Sequence, residues 1–394
     1  MLESIAILLL GGFIAGMVMT KFNLPPLLGM LVIGVLFGPY MFDWLGNDLL
    51  HISPEIRTFS LMVILIRAGL GIHKHEIQKV GWSALKMSSI PSLMEGFAVT
   101  ALAYFFFNFS FAEAGMLGFI LAAVSPAVVV PSMLELKEAR LGEDKQIPTL
   151  LLAGTSIDDV FAITLFTFFL GLGTSGGESI VFSLLKIPFS IIVGVMIGLV
   201  IGLIFVKLFD FKKFLKSNSE RLLLVLSGAI FFYHFGEQIG IASLLGIMTL
   251  GFMIVEKRPE VAKGLSKQLL GIWVFAQILL FSLVGAAVDI DVAFQAGLMG
   301  LVIIGVGLMF RTLGVVISLI GTNLNRRERL FCVFSYWPKA TVQAAIGGIP
   351  LASGVGEGGT ILAIAVLSIL LTAPMGAILI KKTAPLLLTR AKEQ

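Results

Sequence analysis

The chain has 394 residues, of which 57% are hydrophobic and 13% charged, and its mean hydropathy is +1.01. A soluble domain carries about 25% charged residues, so the composition excludes a soluble globular protein and indicates helices in lipid. The formal net charge of +4 is small, and no nucleic-acid partner is expected. A single cysteine excludes an intrachain disulfide.

Apolar spans of about 17–30 residues, long enough to cross a bilayer, follow one another along the whole chain. The sequence predicts thirteen of them and hence an all-α polytopic membrane protein. Because the first span starts at Glu3 rather than at a basic segment, it is expected to be a retained helix and not a signal peptide. The predicted spans are 3–20, 25–43, 55–72, 77–108, 112–135, 146–172, 177–209, 219–235, 239–255, 267–288, 292–321, 327–352 and 358–380.

The basic residues between these spans predict the orientation of the chain. Of the 28 Lys and Arg, 22 lie in the loops of one predicted side, five lie within spans, and Arg57 lies on the other side. Cytoplasmic loops carry the excess of Lys and Arg in membrane proteins. The sequence therefore predicts an N-terminus outside and a C-terminus in the cytoplasm.

Two spans contain helix breakers at corresponding places in the two halves of the chain. The fifth contains AAVSPAVVVPSM, in which Pro126 and Pro131 each remove a backbone donor. The twelfth contains YWPKATVQAAIGGIP, in which Pro338 and Pro350 flank a Gly-Gly pair. Either break alone is compatible with a simple kink. Together, seven spans apart, they indicate inverted six-helix repeats with two crossed, interrupted helices, the fold of many secondary transporters.

Five ionisable side chains are predicted deep inside spans: Glu95, Asp158, Asp159, Arg311 and Lys339. Charges at this depth are costly in lipid, and each one therefore suggests a functional site. A buried pair of carboxylates can bind either a proton or a cation, and binding one expels the other. The Asp158–Asp159 pair therefore predicts exchange of H⁺ against Na⁺ or Li⁺. The simpler alternative is that the acids only hold helices together through a basic partner.

The remaining ligands and partners of this site follow from residue chemistry. Small hard cations prefer oxygen ligands, and the expected ones besides the aspartates are Ser125, Thr155, Ser156 and backbone carbonyls near the first break. Glu95 and Arg311 lie on equivalent helices of the two repeats, which favours an ion pair between them.

Lys339 directly follows Pro338 in the second interrupted helix. Its ammonium group could neutralise the negative end of a half-helix, or it could pair with Asp158. The sequence leaves both arrangements open.

Four segments carry a resemblance to a known family: SPAVVVPSM, PTLLLAGTSIDDVFAI, NRRERLFCVFSYWPKATVQAAIGG and LSILLTAPMG. They resemble the NHA-type Na⁺/H⁺ antiporters, which belong to the two-aspartate branch of the monovalent cation:proton antiporter superfamily. The resemblance implies a homodimer in the plasma (inner cell) membrane, with no cofactor and no enzymatic activity. It also implies that Asp159 is the main carrier of cation and proton and that Asp158 is its partner.

The resemblance further implies a division into scaffold and ion-translocating core. The expected segments are 1–75 and 211–289 for the scaffold, 76–173 and 290–382 for the core, 174–210 for a linker helix and 383–394 for a cytoplasmic tail. Other two-aspartate antiporters have a lysine near position 311, whereas this chain has Arg311, which stays protonated and cannot act as a second proton carrier.

Two other functions compete with the antiporter. A sodium-coupled symporter for organic anions would need a larger pocket with anion-binding groups, and no Asn, Gln or Arg cluster lies near either break. An intramembrane aspartyl protease needs two aspartates that face each other from different helices. A separate pH sensor, with His73 and His75 as candidates, would compete with pH control at the aspartates themselves.

Overall fold

The computed structural model describes residues 1–22, 24–71, 74–174, 180–210 and 217–390. Within these ranges the chain is helical, and the only β-type pairing is an isolated bridge between Leu141 and Arg390. The helices of the described part are α1 (Leu2–Lys21), α2 (Pro26–Phe37), α3 (Asn47–His51), α4 (Ser53–Gly71), α5 (Lys74–Phe106), α6 (Phe111–Leu121), α7 (Pro126–Glu138), α8 (Ile147–Thr174), α9 (Ile180–Leu208), α10 (Asn218–Ile239), α11 (Ser243–Lys257), α12 (Pro259–Ala286), α13 (Ile290–Gln295), α14 (Gly297–Ser318), α15 (Arg326–Ser335), α16 (Thr341–Ile346), α17 (Ile349–Ala352) and α18 (Gly358–Leu387).

Many of these helices are long and apolar enough to cross a membrane. The described residues contain seven such segments, Leu2–Lys21, Gly81–Phe106, Phe111–Val130, Asn218–Ile239, Pro259–Ala286, Gly297–Ser318 and Gly358–Leu387. Shorter apolar helices lie at Pro26–Phe37, Phe161–Thr174, Ile192–Leu208 and Thr341–Ala352. The predicted all-α polytopic membrane protein is confirmed, while the count of thirteen spans stays a prediction.

Both predicted interruptions are present. The first lies between α6 and α7, where Pro126 is the first residue of α7 and its missing N–H costs no helical bond. The second lies between α15 and α16 and includes Pro338. The two non-helical segments cross, because the Ser125 N–H donates to the Pro338 carbonyl at 2.8 Å. Irregular backbone at membrane depth is tolerated where protein surrounds it, as here.

Two of the predicted breakers do not break a helix. Residue 131 lies inside α7, which continues to Glu138, so the loss of one donor there is tolerated by the remaining helical bonds. Pro350 lies in the first turn of α17, where its N–H would lack a helical partner in any case. The Gly-Gly pair, by contrast, does separate α16 from α17.

Close packing brings α14 against α5, the two helices that carry Arg311 and Glu95. A Cβ on Gly314 would lie 2.6 Å from the Pro91 Cα, and one on Gly307 would lie 3.0 Å from Glu95 Oε1. Small residues of this kind let membrane helices approach backbone to backbone. The two glycines therefore bring the guanidinium and the carboxylate of the neighbouring helix within reach of each other.

The chain divides into two compact units by its contacts. One comprises residues 1–54, 79–174 and 278–394 and contains all five intramembrane charges, and the other comprises residues 55–78 and 175–277. Residues 1–54 and 278–289, expected in the scaffold, group here with the expected core segments. The functional division into scaffold and core stays a prediction.

Candidate ion-binding site

The two adjacent carboxylates of α8 have different surroundings. Asp158 is fully buried and Asp159 is 7% exposed. Neighbours on a helix point about 100° apart, so they reach different partners. Asp158 Oδ2 accepts hydrogen bonds from Arg311 Nη2 at 2.9 Å and from the Val124 N–H at 2.7 Å. Asp159 Oδ1 is buried without a hydrogen-bond partner, and no ion pair with a basic group within 4 Å is found for Asp159 among the described residues.

Arg311 joins two carboxylates across three helices. It is fully buried, and its Nη1 donates to Glu95 Oε2 at 2.7 Å while its Nη2 binds Asp158. Its Nε donates to the Tyr336 carbonyl at 2.6 Å, and Nη1 also donates to the Ala122 carbonyl at 2.5 Å. The planar fork of a guanidinium suits such multiple bonding, which a lysine could not reproduce.

Lys339 lies at the end of the half-helix α6 and beside Glu95. Its Nζ donates to the Leu121 carbonyl at 2.5 Å and is 2.7 Å from Glu95 Oε1. Its own backbone N–H donates to Thr372 Oγ1 at 2.9 Å, which fixes the backbone just after the proline. Of the two arrangements that the sequence left open, the structure therefore has the lysine at the negative end of a half-helix, with Glu95 as its acid partner.

Side-chain donors cover four consecutive carbonyls, two at the end of α6 and two at the start of the first break. Gln343 Nε2 donates to the carbonyls of Ile120 and Ala123, both at 2.9 Å. The carbonyls between them accept from Lys339 and Arg311. Carbonyls at a helix end have no helical partner, and burial makes such partners necessary. The backbone carbonyls expected as cation ligands near the break are thus already hydrogen-bonded at positions 120–123.

The structure describes the side chains of two of the three predicted hydroxyl ligands. Ser125 is buried at the crossing, with its Oγ 3.5 Å from Thr341 Oγ1. Thr155 is buried one helical turn before Asp159, and its hydroxyl donates to the Leu151 carbonyl of its own helix at 2.8 Å, which leaves its oxygen lone pairs available. The side chain of Ser156 lies outside the described residues. The histidine candidates for a pH sensor are also outside them, His73 entirely and His75 in its side chain.

Two neutral residues of the site were missed by the search for charges. Gln343 is fully buried in the VQAA stretch of the second interrupted helix. The Tyr336 ring lies 5.5 Å from the Arg311 guanidinium, and its buried hydroxyl has no hydrogen-bond partner among the residues that the structure describes. A Cβ on Gly154 would lie 2.0 Å from this hydroxyl, so glycine is needed there. The sequence feature that could have indicated them is the presence of a glutamine and a tyrosine inside an apolar span.

The charges of the cluster do not balance. Asp158, Asp159 and Glu95 supply three buried carboxylates, while Arg311 and Lys339 supply two buried cations. With all five ionised, one negative charge is left without a counter-charge in a low-dielectric environment, which is unfavourable. One proton or one monovalent cation would neutralise the cluster.

The fold is similar to that of a solved archaeal transporter. The structure described as that of "the sodium proton antiporter MjNhaP1 from Methanocaldococcus jannaschii at pH 8" superposes with a TM-score of 0.83 over 97% of each chain, at 18% sequence identity. An electron-microscopy map of the same antiporter gives a TM-score of 0.79 over 99% of this chain and 98% of that one. At this identity the likeness shows the fold alone.

Sequence comparisons identify the family. The family described as "Sodium/hydrogen exchanger, transmembrane" matches residues 5–384. Sodium/hydrogen exchanger 9B2 of Bison bison bison is 37% identical, over 98% of this chain and 74% of its own length, and human 9B2 is 35% identical with the same coverage. Human sodium/hydrogen exchanger 9B1 is 32% identical over 93% of this chain and 73% of its own length. The chain therefore belongs to the transmembrane sodium/hydrogen exchanger family, whose members are membrane antiporters of monovalent cations and protons.

Proposed function

We propose that the protein exchanges Na⁺ or Li⁺ for H⁺ by alternating access, with cation and proton competing for Asp158 and Asp159. The observation that carries this proposal is the buried Asp159 carboxylate, which has no basic partner among the described residues while its neighbour has one. A carboxylate that must be neutralised, and that no side chain neutralises, is suited to bind a mobile cation.

The two aspartates have different roles in this mechanism. Asp158 is held by Arg311 and by the Val124 N–H, so its charge is largely compensated within the protein. Asp159 is the group that binds the proton in one half of the cycle and the cation in the other. Ser125, Thr155 and Ser156 remain the proposed additional oxygen ligands.

The charge balance of the cluster supports exchange of one cation for one proton. The cluster of three acids and two bases lacks one positive charge, and a single H⁺ or a single Na⁺ supplies it. Arg311 does not release its proton, so it adds no second proton to the cycle. By the resemblance to its relatives, the protein acts as a homodimer in the plasma membrane, with its N-terminus outside and its C-terminus in the cytoplasm.

Replacing Asp159 tests this proposal. Asp159→Asn keeps the size of the side chain and removes the charge that both ions need, so Na⁺-driven proton movement in proteoliposomes is expected to be lost. Asp158→Asn is expected to weaken exchange less completely. Asp48→Asn changes an exposed carboxylate of the short helix α3 and serves as the matched control.

The same assay with Na⁺, Li⁺ and K⁺ added in turn gives the cation selectivity. Substantial exchange by Asp159→Asn would contradict the site assignment. Na⁺ uptake without opposite proton movement by the native protein would instead favour the sodium-coupled symporter.

A further inference from the structure

One peptide group in the first interrupted segment connects a neutral side chain to the ion-binding site. The Ala123 carbonyl accepts a hydrogen bond from Gln343 Nε2 at 2.9 Å, and the Val124 N–H donates to Asp158 Oδ2 at 2.7 Å. These two groups belong to the same peptide unit, which is planar and trans, so its C=O and N–H point in opposite directions. Gln343 and Asp158 therefore hold opposite edges of one rigid plane.

The amide of Gln343 has a single favourable orientation. Its Nε2 donates also to the Ile120 carbonyl at 2.9 Å, so both amide hydrogens are used. With the amide reversed, Oε1 would face two carbonyl oxygens and could donate to neither. The side chain is fully buried on α16, where water cannot replace these bonds at low cost.

The peptide that Gln343 holds lies outside regular structure. It falls in the gap between the end of α6 at Leu121 and the start of α7 at Pro126. No helical hydrogen-bond ladder fixes its rotation, so its orientation depends on the groups bound at its two edges. Hydrogen bonds in a chain also polarise one another, which strengthens the N–H as a donor to the carboxylate.

We propose that Gln343 is a positioning residue for cation–proton exchange: it turns the Ala123–Val124 peptide so that its N–H binds Asp158 and keeps that carboxylate ionised, leaving Asp159 alone to exchange proton for cation. The inference rests on the proposed function of the two aspartates. A hydrogen bond to the charged form of a carboxylate favours that form, and loss of the bond allows protonation.

Gln343→Met tests this role because methionine has a similar length and cannot donate. In the native protein one proton competes with Na⁺, so the half-saturating Na⁺ concentration should rise by up to about tenfold for each unit of falling pH. In Gln343→Met, Asp158 is expected to take up a second competing proton. The dependence should then exceed tenfold and approach about a hundredfold per unit. Ser368→Ala removes another buried polar side chain, bonded within its own helix α18, and should keep the native slope.

Gln343→Glu gives a second test that does not depend on side-chain size. The carboxyl group introduced by this substitution can donate one hydrogen bond when it is protonated and none when it is ionised. In this variant too, the half-saturating Na⁺ concentration should rise by more than about tenfold for each unit of falling pH, because the Ala123–Val124 peptide is then held by one donated bond at most. A native slope in this variant would show that the two donated hydrogen bonds do not hold the peptide, because glutamate has nearly the shape of glutamine but donates at most one bond.

The outcomes separate this inference from the proposed function. A half-saturating Na⁺ concentration that is independent of pH in the native protein would contradict competition at the aspartates. A native slope of about tenfold, with the same slope in folded Gln343→Met, would overturn the role of Gln343 alone. If Gln343→Met does not fold, the profile of Gln343→Glu decides, and a native-like profile overturns the proposal.

Discussion

Glu95 is the residue on which the two buried cations of the site converge. Its Oε2 binds Arg311 and its Oε1 lies 2.7 Å from Lys339, and all three side chains are fully buried. Without Glu95, the two positive charges would have Asp158 as their one ion-pair partner among the described residues. Leaving a buried charge without its partner costs much more free energy than the intact ion pair contributes to stability.

A double-mutant cycle is expected to detect the coupling between Glu95 and Arg311. Glu95→Gln alone should lower the free energy of unfolding by about 3–5 kcal/mol, because it removes the acid partner of buried Lys339 and leaves Arg311 with Asp158 alone. Arg311→Gln alone should also destabilise, since it leaves Asp158 without its guanidinium. The double variant should recover about 0.5–3 kcal/mol of the summed loss, measured by thermal unfolding in detergent. Strict additivity of the two losses would show that the residues are not coupled.

At the level of helices, α8 and the non-helical segment after α15 meet at a contact with no spare room. Gly154 lies one turn before Asp158, and the Tyr336 hydroxyl occupies the space that a Cβ would fill. The same tyrosine supplies the carbonyl that binds Arg311 Nε. Through this contact, the position of α8, which carries Asp158, is coupled to the position of the Arg311 guanidinium.

Gly154→Ala is expected to destabilise the protein by about 1–3 kcal/mol, because overpacking forces the ring of Tyr336 to move. Tyr336→Phe removes the hydroxyl, and the next ring atom lies 3.3 Å from the added Cβ. The double variant should therefore be more stable than Gly154→Ala alone, as measured by thermal unfolding. Equal stability of the two variants would indicate that this contact does not limit the packing. Gly171→Ala, on the same helix with open space around its Cβ, is the matched control.

For the molecule as a whole, pH control can arise at the ion site or at a separate sensor. Competition at one carboxylate makes the apparent Na⁺ affinity fall as the pH falls, by up to about tenfold per unit, while saturating Na⁺ restores the maximal rate. A histidine sensor would change the maximal rate and leave the affinity nearly constant. These two patterns can be told apart by Na⁺ activation curves at several pH values.

We expect replacement of both His73 and His75 to leave the pH dependence of Na⁺ affinity unchanged. The curves are to be measured in proteoliposomes for the native protein and for the double histidine variant. Loss of the pH dependence in that variant would assign pH control to the histidines. The double replacement of the exposed His51 and His234 provides a control for the number of histidines removed.

Composition and apolar periodicity are enough to predict the membrane class, the all-helical fold and the places where two helices break. A long apolar span is stable in lipid as a helix, because a helix satisfies its own backbone groups. Pro126 and Pro338 lack the backbone N–H that would continue helical hydrogen bonding. The five intramembrane charges were equally evident, because each is costly at that depth. The prediction of a break at residue 131 is wrong, because α7 continues to Glu138 and a single missing donor does not oblige a helix to end.

Which polar groups meet follows from the tertiary structure and not from the sequence pattern. Lys339 lies beside Glu95, Arg311 binds both Glu95 and Asp158, and Gln343 holds the peptide that binds Asp158. These partners are far apart in the chain, and helical periodicity gives no direction for a side chain in a segment that is not helical. Their contacts follow from the crossing of the two interrupted segments. Buried donors and acceptors need hydrogen-bond partners, and at the crossing these come from the other segment and its neighbouring helices.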